Sequence, residues 1–278
     1  MTAPLFHLAP GALDDVEPGS VLVLDGAEGH HAATVMRLGE GEPVQLSDTA
    51  RTRADAVVSA AEAGQLQVRI STVVVEEVQR PRLVLVQGLA KDRRDLQAIE
   101  SATELGVDAV IPWTAERSVA RWKPGREAKK HAEWVSTVTA ASKQTRRTSI
   151  PEVRQLHTTA QYLAALTSGT GVVVLHEAER VSLRTALQAL GLGSLPARGA
   201  EAGAQVSAPS ASAGTAAAEP AELHLVVGPE GGISDQEVQR LSAAGARTAR
   251  LGRHVLRSST AGPAAVAGVQ LLLGRWDW

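Results

Sequence analysis

The chain has 278 residues, 44% apolar and 21% charged, which is ordinary for a soluble globular protein of one large domain or two modest ones. It has no cysteine, which excludes disulfide scaffolds, thiolate zinc sites, iron–sulfur clusters and cysteine nucleophiles. The net charge of −2 hides a segregation: residues 80–154 hold 15 Lys and Arg against 9 Asp and Glu, leaving 13 against 21 elsewhere.

Such asymmetry points either to a polyanionic partner or to a solvated helix face. The opening stretch, MTAPLFHLAPGALDD, lacks the basic and apolar regions of a signal peptide. No apolar run approaches the roughly 18 residues of a membrane span, so a cytoplasmic, soluble protein is expected.

Residues 1–78 read as short strands. Val21–Leu24 and Val44–Leu46 are apolar runs bounded by turn residues, and Gln65–Ile70 alternates polar and apolar. A helix over Glu28–Leu38, ending at Gly39, separates the early strands. Together they predict a small β-barrel.

The pattern changes at Glu76–Pro81, where a domain boundary is expected, with a second domain over 79–278. There, strands at Leu83–Val86, Asp108–Trp113, Gly171–Leu175, Leu223–Val227 and Thr248–Leu251 alternate with helices. The helices are Asp92–Leu105, about Arg126 to Arg147, and the apolar Ala261–Leu273. Continuous β-branched strands between helices predict a parallel sheet covered on both faces. Of the 26 residues Pro196–Ala221, 20 are Ala, Gly, Ser or Pro; with nothing to bury, they read as a passive flexible insertion.

Two loops carry the sharpest chemistry. Val227-Gly228-Pro229-Glu230-Gly231-Gly232 follows a buried strand, and Ser234 with Glu237 forms a capping box for the next helix. Glycines at the carboxyl end of a parallel strand let a ligand approach the backbone. The loop lacks the Lys-Ser/Thr of a phosphate-binding loop and the last glycine of a nucleophile elbow. Leu251-Gly252, leading to Leu256-Arg257-Ser258, again joins a strand to a helix, and Leu175-His176-Glu177 ends another strand. No histidine spacing suits a metal, so none is expected.

These segments resemble the bacterial 16S rRNA uridine-N3 methyltransferases, the RsmE family of the SPOUT (α/β-knot) class. The G-P-E-G-G loop followed by Ser and Glu, then Leu251-Gly252 with Val255-Leu256-Arg257, is similar to that family's C-terminal pair. His30-His31 to Leu46, Glu104-Leu105-Gly106-Val107, Glu116-Arg117-Ser118 and Gln144–Arg147 with Pro151-Glu152-Val153 follow in the family's order. Two positions depart from it: Lys143 and Ser259 stand where the family commonly has Glu. Ser259 is expected to help cap the last helix.

The resemblance implies a PUA-like RNA-binding barrel before a SPOUT trefoil-knot domain, acting as a homodimer through the last helix. It implies an S-adenosylmethionine-dependent enzyme that methylates N3 of one uridine, uridine 1498, in 16S rRNA of the small ribosomal subunit. Leu175, His176, Val227–Gly232, Leu251, Gly252, Leu256, Arg257 and Ser258 would hold the cofactor. Arg257 would be catalytic, and Arg37, Arg117, Gln144, Arg146 and Arg147 would meet RNA. Two other readings stay open: a SPOUT ribose 2′-O-methyltransferase of tRNA or rRNA, and a non-catalytic ribosome-assembly factor.

Overall fold

A computed structural model describes residues 3–62, 64–193 and 219–276. All but the last three residues of the expected insertion, 196–221, lie outside the described residues. The chain divides into two compact units, Met1–Val78 with Val138–Pro151, and Gln79–Thr137 with Glu152–Trp278.

The first unit is a five-stranded sheet. Its strands are β1 (Leu5–His7), β2 (Val21–Leu24), β3 (Pro43–Ser47), β4 (Thr52–Glu62) and β5 (Gln65–Val75), in the order β1-β3-β4-β5-β2. β1 pairs β3 in parallel and the other pairs are antiparallel. The alternation in β5 puts Leu66, Val68 and Ile70 into a core shared with Phe6, Leu46 and Ala54. The helix expected to reach Leu38 is shorter: α1 (Gly26–His30) passes into a π-helical turn, His31–Val35. Met36 N then bonds His31 O, and Arg37 turns the chain out with a left-handed backbone, φ 55°.

Residues 138–151 join this unit through specific bonds, where a division at residue 78 alone would have left them in the second. Lys143 Nζ meets both carboxylate oxygens of Glu28 at 2.7 Å and lies 5.9 Å from the centre of the Phe6 ring. Ser47 Oγ donates to Thr148 O at 2.5 Å, and Ile150 N to Thr49 O at 3.1 Å.

The second unit is built on parallel strands: β6 (Arg82–Gly88), β7 (Ala109–Thr114), β8 (Glu152–Val153), β9 (His157–Thr158), β10 (Thr170–Leu175), β11 (Glu222–Val227) and β12 (Arg247–Ala249). Their order is β12-β10-β11-β6-β7-β8, with β9 also on β7. The β-branched runs are buried along nearly their whole length, as a sheet covered on both faces requires. One face packs on α2 (Arg94–Glu104) and α7 (Ser258–Leu272), the other on α4 (Thr159–Ala165) and α6 (Asp235–Ala243). The remaining helices are α5 (Leu183–Gln188) and α3 (Glu127–Gln144), whose residues from Val138 onward belong to the first unit.

Two expectations change. α3 stops at Gln144 rather than Arg147, because Arg146 N bonds Lys143 O and Arg147 N bonds Ser142 O around a left-handed Arg146, φ 57°. This is the Schellman termination, with an arginine where glycine is usual. Ser259 is the second residue of α7 and not its cap; that place belongs to Arg257, which makes no side-chain cap bond. Along α7, Val266 and Val269 are fully buried in their own unit while Leu271 is exposed.

At the amino end of β11, Arg154 grips Glu222 with two bonds of 3.0 and 2.5 Å. Glu222 lies 3.0 Å from His224 Nε2, and His224 Nδ1 lies 2.9 Å from the Tyr162 hydroxyl. A carboxylate only accepts, so Nε2–H donates to Glu222 and Nδ1 accepts from Tyr162, which fits a neutral ring. Burial pushes the His224 pKa down and that of Tyr162 up. The bond from His224, with Arg154, holds Glu222 below the usual carboxylate range. The unfolded chain therefore takes up a proton on His224, near its ordinary pKa of about 6.5, before the folded chain does. Stability should fall as pH drops through that value, and His224→Gln should flatten the slope in denaturant titrations at a series of pH values. An unchanged slope would show that His224 binds its proton equally in the folded and unfolded chain, and that burial does not shift it.

Candidate active site

Because β10, β11 and β12 are parallel and β10 lies between the other two, their following loops leave the same edge of the sheet. They enclose a cavity of about 470 Å3, within the range usual for small-molecule sites. Leu175, His176 and Glu177 contribute from the first loop, Val227–Glu230 with Gly232, Ile233 and Asp235 from the second, and Arg250, Leu251 and His254–Ser258 from the third. Arg94 and Arg117 complete the wall.

The residues read from the sequence as cofactor-binding all line this cavity except Gly231 and Gly252. Arg117, read as an RNA contact, lines it as well, whereas Arg37, Gln144, Arg146 and Arg147 belong to the first unit. Sequence reasoning missed Arg94, Glu177, Ile233, Asp235, Arg250, His254, Val255 and Ala261. Most of these neighbour a residue it did find, and Arg94 carried no signal because it follows a different strand, β6.

The glycines do more than admit a ligand. A Cβ on Gly228 would lie 2.8 Å from Ile233 Cγ1, and one on Gly231 2.8 Å from Arg117 O. One on Gly88, at the end of β6, would lie 2.6 Å from Pro229 N. The loops after β6, β7 and β11 are therefore packed backbone against backbone, and a side chain at these positions would first displace the protein itself.

A buried carboxylate joins them. Ser234 Oγ accepts from Glu237 N at 3.1 Å and Glu237 Oε2 accepts from Ser234 N at 3.2 Å, the capping box expected for α6. The other oxygen, Oε1, accepts from Glu116 N at 2.9 Å and from Thr159 Oγ1 at 2.5 Å. Trp113 Nε1 in turn donates to Thr159 Oγ1 at 3.2 Å. Glu237 is fully buried, so one side chain satisfies donors from β7's loop, α4 and α6. Glu116 adds bonds to the Ser234 hydroxyl and to Arg240, and the Ser234 bond holds its carboxyl below the usual range.

Within the cavity the polar groups are unevenly satisfied. Glu230 accepts from Lys91 N at 3.1 Å and faces Arg94 at 3.8 Å. Ser258 Oγ is buried in the wall without a hydrogen-bond partner. Arg257 is exposed at the cavity, and its side chain makes no hydrogen bond or ion pair among the described residues. An orphaned hydroxyl and a free guanidinium in one concave site are groups that a ligand can satisfy.

If Glu237 holds the loops together, Glu237→Ala should cost about 1–3 kcal/mol through the buried donors it strands. Glu237→Gln, which keeps an acceptor oxygen, should cost less. Equal midpoints for the wild type and both variants in chemical denaturation would show that the loops do not depend on it.

The RNA methyltransferase domain family matches residues 77–270, and the RNA methyltransferase PUA domain family matches residues 24–71. The ribosomal RNA small subunit methyltransferase E of Mycobacterium bovis is 37% identical over 100% of this chain and 95% of its own length. The Bacillus subtilis protein of that name is 26% identical over 88% of each. A putative methyltransferase from Legionella pneumophila, solved with the bound cofactor SAM, superposes with a TM-score of 0.71 at 25% identity, covering 98% of both chains. The Neisseria gonorrhoeae methyltransferase E, bound to S-adenosyl methionine, shares the fold with a TM-score of 0.75 at 23% identity, again over 98% of both chains. With a domain match over most of its length and a relative of this identity across all of it, the chain belongs to the ribosomal RNA small subunit methyltransferase E family.

Proposed function

We propose that this protein uses S-adenosylmethionine to methylate N3 of one uridine in 16S rRNA. The observation that carries the reading is the cavity itself: three adjacent strand-end loops surround it, with the unpartnered Ser258 hydroxyl and the Arg257 guanidinium among its groups. The Legionella structure with its bound cofactor supports assigning this cavity to S-adenosylmethionine. The loops at 175–177, 227–232 and 251–258 would hold it through backbone groups and aliphatic side chains. When bound, S-adenosylmethionine supplies an activated methyl group on its sulfonium.

What the protein must add is alignment and charge. Holding the uracil ring in line with the methyl donor converts an encounter into an intramolecular step. Uridine N3 carries a proton at neutral pH, and its loss to water leaves negative charge spread onto the uracil oxygens. Arg257, free of internal partners, is the group assigned to stabilise that charge. A uridine within structured rRNA must also leave its stack before N3 is reachable, and the PUA-like first unit suits docking of that RNA. The trefoil knot and the homodimer belong to the same reading. Support for the knot is the pairing of β12 with β10 rather than with β11.

Mass spectrometry of nucleosides from 16S rRNA, naked or in small subunits, should detect 3-methyluridine after incubation with the enzyme and S-adenosylmethionine. A 2′-O-methylated nucleoside would replace this reading with ribose methylation, and no product with no cofactor binding would favour an assembly factor. Arg257→Ala should lower turnover at saturating S-adenosylmethionine by about a hundredfold or more. Full activity in that variant would remove Arg257 from the chemistry.

A further inference from the structure

The positive excess of residues 80–154 is not spread evenly. Nine of its 15 Lys and Arg fall in two short stretches, 91–94 and 117–130, which contain only two carboxylates. All nine are exposed except Arg94, which is half-buried. The first stretch follows β6 and the second follows β7. Both therefore emerge at the edge of the sheet that carries the cavity, since these strands are parallel to β11.

Bonds join the two stretches to each other and to the cavity. Glu133 of α3 pairs with Arg93 at 3.4 Å and with Lys130 at 2.8 Å. The Trp122 ring meets the edge of the buried Trp134 at 6.1 Å between centroids, which fastens the second stretch to α3. Lys91 N and Arg94 both reach Glu230 in the cavity wall. Asp92 and Arg93 hold consecutive left-handed backbones, φ 55° and 59°, a conformation costly for residues with a Cβ and found at binding sites more than elsewhere. Glu133 leaves most of this charge uncompensated: among the described residues, the side chains of Lys91, Arg121, Lys123 and Arg126 meet no carboxylate within ion-pair distance. Exposed, unpaired cations on a rigid frame beside a reaction cavity are the complement of a phosphodiester backbone.

We infer that this surface, residues 91–94 and 117–130 of the second unit, is the principal phosphate-contacting platform for the substrate rRNA. The catalytic unit then grips its own substrate beside the cavity, and Arg146 with Arg147 of the first unit carries a smaller share. The inference rests on the proposed rRNA substrate for its partner, but its test reads binding and does not need catalysis.

The test is the quadruple variant Arg121→Gln, Lys123→Gln, Arg126→Gln and Lys129→Gln. None of these residues lines the cavity, so S-adenosylmethionine affinity, which also reports folding, should stay as in the wild type. Binding of naked 16S rRNA is measured across a salt series. The log–log salt slope should become shallower by about 0.7 for each phosphate no longer neutralised, and KM for RNA should rise roughly tenfold with kcat unchanged. The double variant Arg146→Gln with Arg147→Gln should move the slope less. Unchanged RNA affinity and slope in the quadruple variant would overturn the inference. So would weakened binding of small subunits with naked rRNA unaffected, which would mean that the surface meets a ribosomal protein. A wild type that binds RNA through this surface but forms no 3-methyluridine would instead defeat the proposed function and leave the platform standing.

Discussion

Since β10 is inserted between β11 and β12 and all three strands run the same way, the loops that follow them have no choice but to rise together from one edge of the sheet. Everything chemical in the second unit follows from that arrangement. Ligands of parallel sheets bind outside the carboxyl ends of the strands, and here three such ends are adjacent. The same rule brings the loops after β6 and β7 alongside, carrying Arg94 and Arg117 into the wall. Tight backbone packing at Gly88, Gly228 and Gly231, with the buried Glu237 carboxylate, then fixes the loops relative to one another.

The two edges of the sheet use polar groups in opposite ways. At the amino edge, Arg154, Glu222, His224 and Tyr162 satisfy one another, and what they contribute is a defined, buried, pH-sensitive arrangement. At the carboxyl edge, Ser258 Oγ is left without a partner and several cations remain unpaired. Satisfied polar groups serve the protein's own structure, whereas an unsatisfied hydroxyl that lines a cavity is available to a ligand.

Much of this was legible in the sequence, for reasons that can be stated. The strands of the second unit are continuous apolar runs, so β6, β7, β10 and β11 were placed to within about two residues. β4 was missed because Thr52–Glu62 is rich in Ala with Arg, Asp and Glu interspersed, a composition that does not announce a strand. Helix ends failed where the stop is made by an unexpected residue: nothing marks Arg37 or Arg146 as adopting a left-handed backbone. The loops of the cavity were found because each follows a clear strand. Glu237 was visible as half of a capping box, but its bonds to Glu116 and Thr159, 121 and 78 residues away in sequence, exist only in three dimensions. The departures from the family pattern likewise needed the structure: Lys143 is held by Glu28 in the first unit, and Ser259 sits inside α7.

Whether the three strand-end loops form one cofactor cavity is tested most directly by hydrogen exchange with and without saturating S-adenosylmethionine, since a bound ligand suppresses local opening. Added protection should concentrate at residues 175–177, 227–233 and 250–258, with the amino edge at 222–224 unaffected. Protection elsewhere, or none in these three loops at saturation, would contradict a shared cofactor cavity.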